Sequence, residues 1–220
     1  MVGEDCMEHL VFGHTGSLGA ACVDSLTVDG SVHRGKHPFD DFKKQIASLP
    51  RLDSVTWANG MNINDSIMDF EFEKFQEVLT ANLNFIIQTA HLLIAESKIN
   101  PNANFLIISS IWSKFVRPDK LSYTVSKSAV SGLTRSLAVD LGKYGIHVNS
   151  IAPGPIDNKM TRLQLPRKML KTISSETPLG RLVTEAEVAR IVKIIASGNF
   201  RGVTGQNIFV DGGWGMTKLV

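Results

Sequence analysis

The sequence predicts an α/β domain of three layers, with helices on both faces of a mostly parallel sheet. Two observations carry this. Short apolar runs alternate with helix-length amphipathic segments along 220 residues, the pattern of strand–helix–strand units. Several of the runs also exit into glycine, serine or proline, as strands do where a parallel sheet builds its ligand crevice.

HLVFG, from His9 to Gly13, reads as a buried strand, and GHTGSLGAACVDSL as a turn feeding a helix of small residues. PFDDFKKQIASLP, Pro38 to Pro50, places Phe39, Phe42, Ile46 and Leu49 near one helical face. LDSVTWANG is a strand with a polar exit. DFEFEKFQEVLTANLNFIIQTAHLLIAES is a long helical region, interrupted near its start. NFLIISS, Asn104 to Ser110, is a strand ending in hydroxyls, and SYTVSKSAVSGLTRSLAVDLGKYG a helix that exits at Gly142 and Gly145. HVNSIAPGPID gives a strand and a proline–glycine loop. TEAEVARIVKIIAS opens on a capping box, Thr184 to Glu187, and QNIFVDGG supplies the last strand.

Composition narrows the function classes. Hydrophobic residues make up 43% of the chain, enough for one domain spanning residues 1–220. Twenty-three basic against 21 acidic residues give +2, which argues for neither nucleic acid nor membrane as a partner. Two cysteines, Cys6 and Cys22, form neither a metal motif nor a disulfide framework. No metal site is expected, since the six histidines lack clustered ligands. The acidic start MVGEDCMEH is unlike a signal peptide, and NFIIQTAHLLIA is too short and polar to span a bilayer, so a cytoplasmic setting is expected.

Two stretches suggest chemistry. GHTGSLG spaces Gly13, Gly16 and Gly19 three apart between a strand and a helix, which suits a nucleotide-binding turn with Ser17 and Leu18 opening the helix. An ordinary tight turn is the plainer reading. SYTVSKSAVSG sets Tyr123 four positions before Lys127, on one helical face. A cation beside a phenol favours phenolate, as an acid–base pair requires; a packing tyrosine with a solvated lysine is the structural alternative.

These motifs, in this order, resemble the classical short-chain dehydrogenase/reductase family, particularly its 3-oxoacyl-carrier-protein-reductase-like branch. YTVSK matches the YxxxK motif, Ser110 lies thirteen residues before Tyr123, and Asn82 in VLTANL matches the fourth catalytic position. IAPGPIDNKM resembles the loop beside nicotinamide, and GVTGQNIFVDGG the C-terminal strand signature. The resemblance implies a Rossmann-like domain interconverting a carbonyl and an alcohol with NAD(P)(H). Tyr123 would carry the proton, Lys127 lower its pKa and bind the ribose, Ser110 bond the substrate oxygen, and Asn82 hold a relay water. Gly13, Gly16, Ser17, Leu18, Gly19, Asn59, Gly60, Tyr123, Lys127, Pro153, Gly154, Ile156 and Asn158 would line the cofactor. A homodimer or homotetramer through the two long helices is also implied.

The chain departs from the family in three places. WANG, residues 57–60, replaces NNAG; Phe12 and Ser17 alter the glycine fingerprint; and Gly16 and Gly60 lie only 44 positions apart. That spacing predicts the loss of one edge βα unit, leaving about six strands. The missing unit normally grips adenosine, so Arg34, with His33, is the candidate for a 2′-phosphate, a lean toward NADP over NAD. A non-catalytic binding or assembly protein on the same fold is the competing reading. Residues 158–180 would cover a substrate, and their basic bias (Lys159, Arg162, Arg167, Lys168, Lys171) would suit an anionic or carrier-bound one. Trp112 is a candidate wall of the substrate pocket.

Overall fold

A computed structural model describes residues 6–217. Six strands, β1 (Met7–Phe12), β2 (Gly30–Arg34), β3 (Leu52–Trp57), β4 (Ile99–Ile108), β5 (His147–Pro153) and β6 (Asn207–Val210), pair in parallel in the order β2-β1-β3-β4-β5-β6. The helices are α1 (Ser17–Leu26), α2 (Phe39–Gln45), α3 (Phe72–Leu79), α4 (Phe85–Ala95), α5 (Leu121–Gly142), α6 (Lys159–Gln164), α7 (Arg167–Glu176) and α8 (Glu185–Ala196). The Rossmann-like architecture and the six strands are as expected.

Strand alternation sorts the core into two layers. Leu10, Phe12, Val55, Trp57, Phe105 and Ile107 face α2, α4 and α5, meeting Phe42, Phe85, Leu93 and Val130. Val11, Leu106, Ile108 and Ile151 face α1 and α8, meeting Cys22, Leu26, Val188 and Val192. Burial pushes the Cys22 thiol up to about 12, so it is an inert core side chain. The capping box at Thr184 and Glu187 forms as predicted.

Two elements differ from the sequence expectation. The segment GSVHR, which has one aliphatic residue and reads as loop, is the border strand β2, aligned with Met7–Val11 of β1. Pairing with a neighbour supplies what its side chains do not. The long helical region breaks in its middle rather than near its start: a π-helical turn, Thr80–Asn84, joins α3 to α4. Its cause is a buried side chain, Asn82, which turns away from the helix to bond the strand-exit loop. The run Phe72–Ala95 is long and apolar enough to cross a membrane by composition alone. It lies instead on the sheet, burying Phe85, Ile86, Thr89, Ala90 and Leu93.

Candidate active site

The glycine turn follows directly from its backbone geometry. Gly13 sits at φ +76°, and a β-carbon there would stand 2.5 Å from the Asn59 amide nitrogen. A β-carbon on Gly19 would meet the Gly13 carbonyl oxygen at 2.1 Å, so α1 starts hard against the turn. Gly19→Ala therefore forces backbone to move, and is expected to lower unfolding free energy by roughly 1–3 kcal/mol, measured by urea denaturation. Gly16 occupies the cap of α1 without a side-chain bond, leaving the first helical amides facing outward.

Beside this turn lies a cleft of about 700 Å³, bounded by Gly13–Gly16, by Gly35–His37 beyond β2, and by Ala58–Gly60 beyond β3. Asn59 donates Nδ2–H to the Ala81 carbonyl at 2.7 Å. Among the described residues its buried Oδ1 has no partner, and neither does Nδ1 of His14 on the facing turn. Two orphaned polar atoms, outward helix amides and glycines that leave no room for a β-carbon are what a dinucleotide's hydroxyls and diphosphate require, so these residues fit that group. Ser17 is exposed at the helix start, while Leu18 packs on the second core layer. Arg34 is exposed and does not line the cleft. His33 is drawn off to Glu8, with Nε2 at 2.6 Å from Oε2. Lys36 and His37 take the place expected of them.

At the other end of the crevice α5 carries Tyr123 and Lys127. The Lys127 ammonium lies 5.7 Å from the phenol ring centre and donates to the Ile108 carbonyl at 2.9 Å. It is 3% exposed, and burial lowers its pKa to about 8. Burial raises the pKa of Tyr123, opposed by hydrogen bonding to Ser110. The low-polarity surroundings penalise phenolate and ammonium alike.

Ser110 follows β4 and is 7% exposed; its Oγ accepts from the Trp112 amide at 3.3 Å. Asn82 is fully buried. Its Oδ1 accepts from the Met61 amide at 2.6 Å, and Nδ2 donates to the Met61 carbonyl and to Ser126 Oγ, each at 2.9 Å. Gly60 makes this convergence possible: a β-carbon there would lie 3.1 Å from Asn82 Oδ1 and 3.4 Å from Lys127 Nζ.

The loop after β5 is less open than the sequence suggests. Pro153 is buried, and Gly154 lies against Asp211, whose Cβ would be 2.8 Å from an added β-carbon. Ile156 bridges to Val183 and packs on the second core layer. Asn158 caps α6, accepting from the Thr161 amide and donating to Glu185, each at 2.8 Å. Its side chain is committed at both ends.

A family model described as enoyl-(acyl carrier protein) reductase matches residues 20–215. The chain belongs to the short-chain dehydrogenase/reductase family. This short-chain dehydrogenase/reductase is 31% identical over 199 residues to a 3-oxoacyl-[acyl-carrier-protein] reductase of Rickettsia felis, covering 90% of this chain and 80% of the relative. It is 30% identical over 171 residues to the Thermotoga maritima protein of the same description, covering 78% and 69%. Among solved structures, a short chain dehydrogenase family protein from Francisella tularensis superposes with a TM-score of 0.86 at 25% identity, covering 96% of this chain and 100% of the other. A gluconate 5-dehydrogenase from Burkholderia cenocepacia, solved with NADP and tartrate, shares the fold at TM-score 0.86 and 21% identity, covering 96% of each chain. This family member is an NAD(P)-dependent oxidoreductase.

Two groups near the Tyr123 end of the crevice were not anticipated. Lys120, buried just before α5, and Asp65, buried after β3, both bond across to the neighbouring segment. The signal was present in PDKLSYTVSK, where Lys120 stands three positions before Tyr123.

Proposed function

We propose that this enzyme interconverts a carbonyl and an alcohol, with Tyr123 giving the proton to the carbonyl oxygen or taking it from the alcohol. The nicotinamide dinucleotide supplies or accepts the hydride. The observation that supports this reading is the convergence of Tyr123, Lys127, Ser110 and Asn82 at the strand ends, with the Lys127 ammonium 5.7 Å from the Tyr123 ring. Ser110 orients the substrate oxygen through its hydroxyl. Lys127 donates to ribose hydroxyls as well as to the Ile108 carbonyl, since an ammonium has three donors. Asn82 Oδ1 keeps a second lone pair for a relay water.

The substrate we infer is a 3-oxoacyl thioester, the class named for the relatives. Aromatic rings wall the mouth beyond Ser110, with Trp112 and Trp214 edge to face at 5.8 Å and Arg117 over Trp112 at 5.8 Å. Arg162 is occupied by Asp157 at 2.6 Å, but Lys159, Arg167, Lys168 and Lys171 stand exposed on the covering segment, a field suited to an acidic carrier. The protein acts in the cytoplasm as a homodimer or homotetramer, through the exposed Ile87 and Ile94 of α4 and Val125 and Val139 of α5.

Purified protein titrated with NADPH and NADH, followed by tryptophan fluorescence and calorimetry, should bind both. NADPH oxidation with acetoacetyl-coenzyme A then tests the substrate class, and no oxidation at saturating nucleotide would overturn it. For the nucleotide preference we favour NADPH through Lys36, which lines the cleft. Lys36→Ala should weaken NADPH roughly tenfold and leave NADH unchanged. Arg34→Ala, outside the cleft, should leave the ratio within about twofold.

A further inference from the structure

Helix α5 lacks a cap of its own. Lys120 at its N-cap position offers no side-chain oxygen, so the first amides of the helix need partners from elsewhere. Asp65 supplies them from 57 residues upstream: its side-chain Oδ1 accepts from the Ser122 amide at 3.0 Å and its other carboxylate oxygen from the Ser122 hydroxyl. Its main-chain carbonyl accepts from the Leu121 amide at 3.1 Å. Lys120 ties the same two segments in the other direction, donating Nζ–H to Asn62 Oδ1 at 2.6 Å and to the Ile63 carbonyl at 3.2 Å.

The opposite end of this loop is fastened as well. Asn82 holds both polar groups of Met61 and reaches Ser126 on α5. The strap 61–65 is therefore bound to α5 on either side of Tyr123, at Leu121–Ser122 and, through Asn82, at Ser126. A cap alone would not call for a buried cation. Yet Lys120 is 5% exposed, its Nζ stands 5.7 Å from the Tyr123 ring centre, and its direct acceptors are neutral. Burial and the neighbouring Arg117 push its pKa down to about 8, so the tie is kept against a desolvation cost.

We propose that Asp65 and Lys120 are positioning residues for Tyr123, clamping the strap 61–65 onto the first turn of α5 so that the part-exposed phenol stays fixed in place. The role rests on the reading of Tyr123 as proton carrier. Groups that bear on the phenol are Lys120 before the helix, Lys127 on it and Ser110 from β4, with Arg117 and Asp65 acting on Lys120.

The chain has two tyrosines, and the other, Tyr144, is 58% exposed. In a Tyr144→Phe background, rapid pH-jump absorbance of tyrosinate therefore reports Tyr123 alone. With the clamp removed by Asp65→Ala or Lys120→Met, more water should reach the ring and its pKa should fall toward the ordinary ~10. The kcat for acetoacetyl-coenzyme A should drop at least about tenfold, with the NADPH Kd within about twofold. Thr184→Ala, which removes the cap of α8 far from the strap, should move neither readout. Should the first variants not fold, Asp65→Asn and Ser122→Ala, which thin the clamp by a charge or a hydroxyl, are read the same way.

Unmoved pKa and kcat in folded clamp variants, with Tyr123→Phe inactive, would overturn the positioning role alone. Full activity in Tyr123→Phe would overturn the proton-carrier reading and this role with it.

Discussion

Tyr123→Phe is expected to lower kcat by about 10²- to 10⁴-fold, the usual contribution of a positioned general acid or base. The ring is retained, so the packing around α5 should persist and thermal stability should change little. NADPH affinity, read by tryptophan fluorescence, should also persist, because Lys127 stays bonded to the Ile108 carbonyl at 2.9 Å. Only the proton donor is removed. Lys127→Met should differ in kind, weakening nucleotide binding and turnover together, because in the proposed role one ammonium would serve both the ribose and the phenol's surroundings. A Tyr123→Phe enzyme turning over at the parent rate would place proton transfer elsewhere.

Trp57→Ala is expected to cost about 3–5 kcal/mol of unfolding free energy, measured by urea or thermal denaturation. Trp57 is fully buried at the end of β3. It stacks on Phe12 at 5.9 Å and meets Phe105 edge to face at 5.1 Å, while its Nε1–H donates to Thr89 Oγ1 at 2.8 Å. Phe12 in turn contacts Phe42 at 4.9 Å and Phe85 at 5.2 Å, so an alanine would open a void shared by four elements. Trp57→Phe should cost less, since it fills most of that space and leaves Thr89 bonded to the Phe85 carbonyl at 2.7 Å. Ala58, Asn59 and Gly60 follow directly, so the alanine variant should bind NADPH more weakly even where it remains folded. An alanine variant as stable as the parent would remove the aromatic floor from the account of the cleft.

The same cluster explains the two family departures the sequence displayed most plainly. Phe12 and Trp57 stand where the family pattern has threonine and asparagine, and they are neighbours in register across β1 and β3. They also stack on each other, with ring centres 5.9 Å apart. Gly35 belongs to this set: a β-carbon there would meet the Phe12 ring at 2.3 Å.

Periodicity made the core strands and most helices legible, because Leu10, Phe105 and Ile107 must face one layer and Leu106 and Ile108 the other. It could not show β2, whose stability comes from backbone pairing with β1 rather than from GSVHR itself. The Tyr–Lys pair was legible from helical spacing. Its electrostatics were not, since burial on both partners is a property of the packed crevice. Asn158 carries a role that the proline–glycine loop did not signal, since it also caps the following helix. Asp65 and Lys120 act across 57 residues or more, a separation that local pattern does not encode.

The place of β2 at the margin of the sheet bears on solubility. Because β2 pairs only with β1 among the described residues, one flank of its backbone presents amides and carbonyls that another chain could zip onto. The border strand is five residues long, with Ser31 and the cationic Arg34 exposed along it. Such a short, charged margin offers poor purchase for a stray strand.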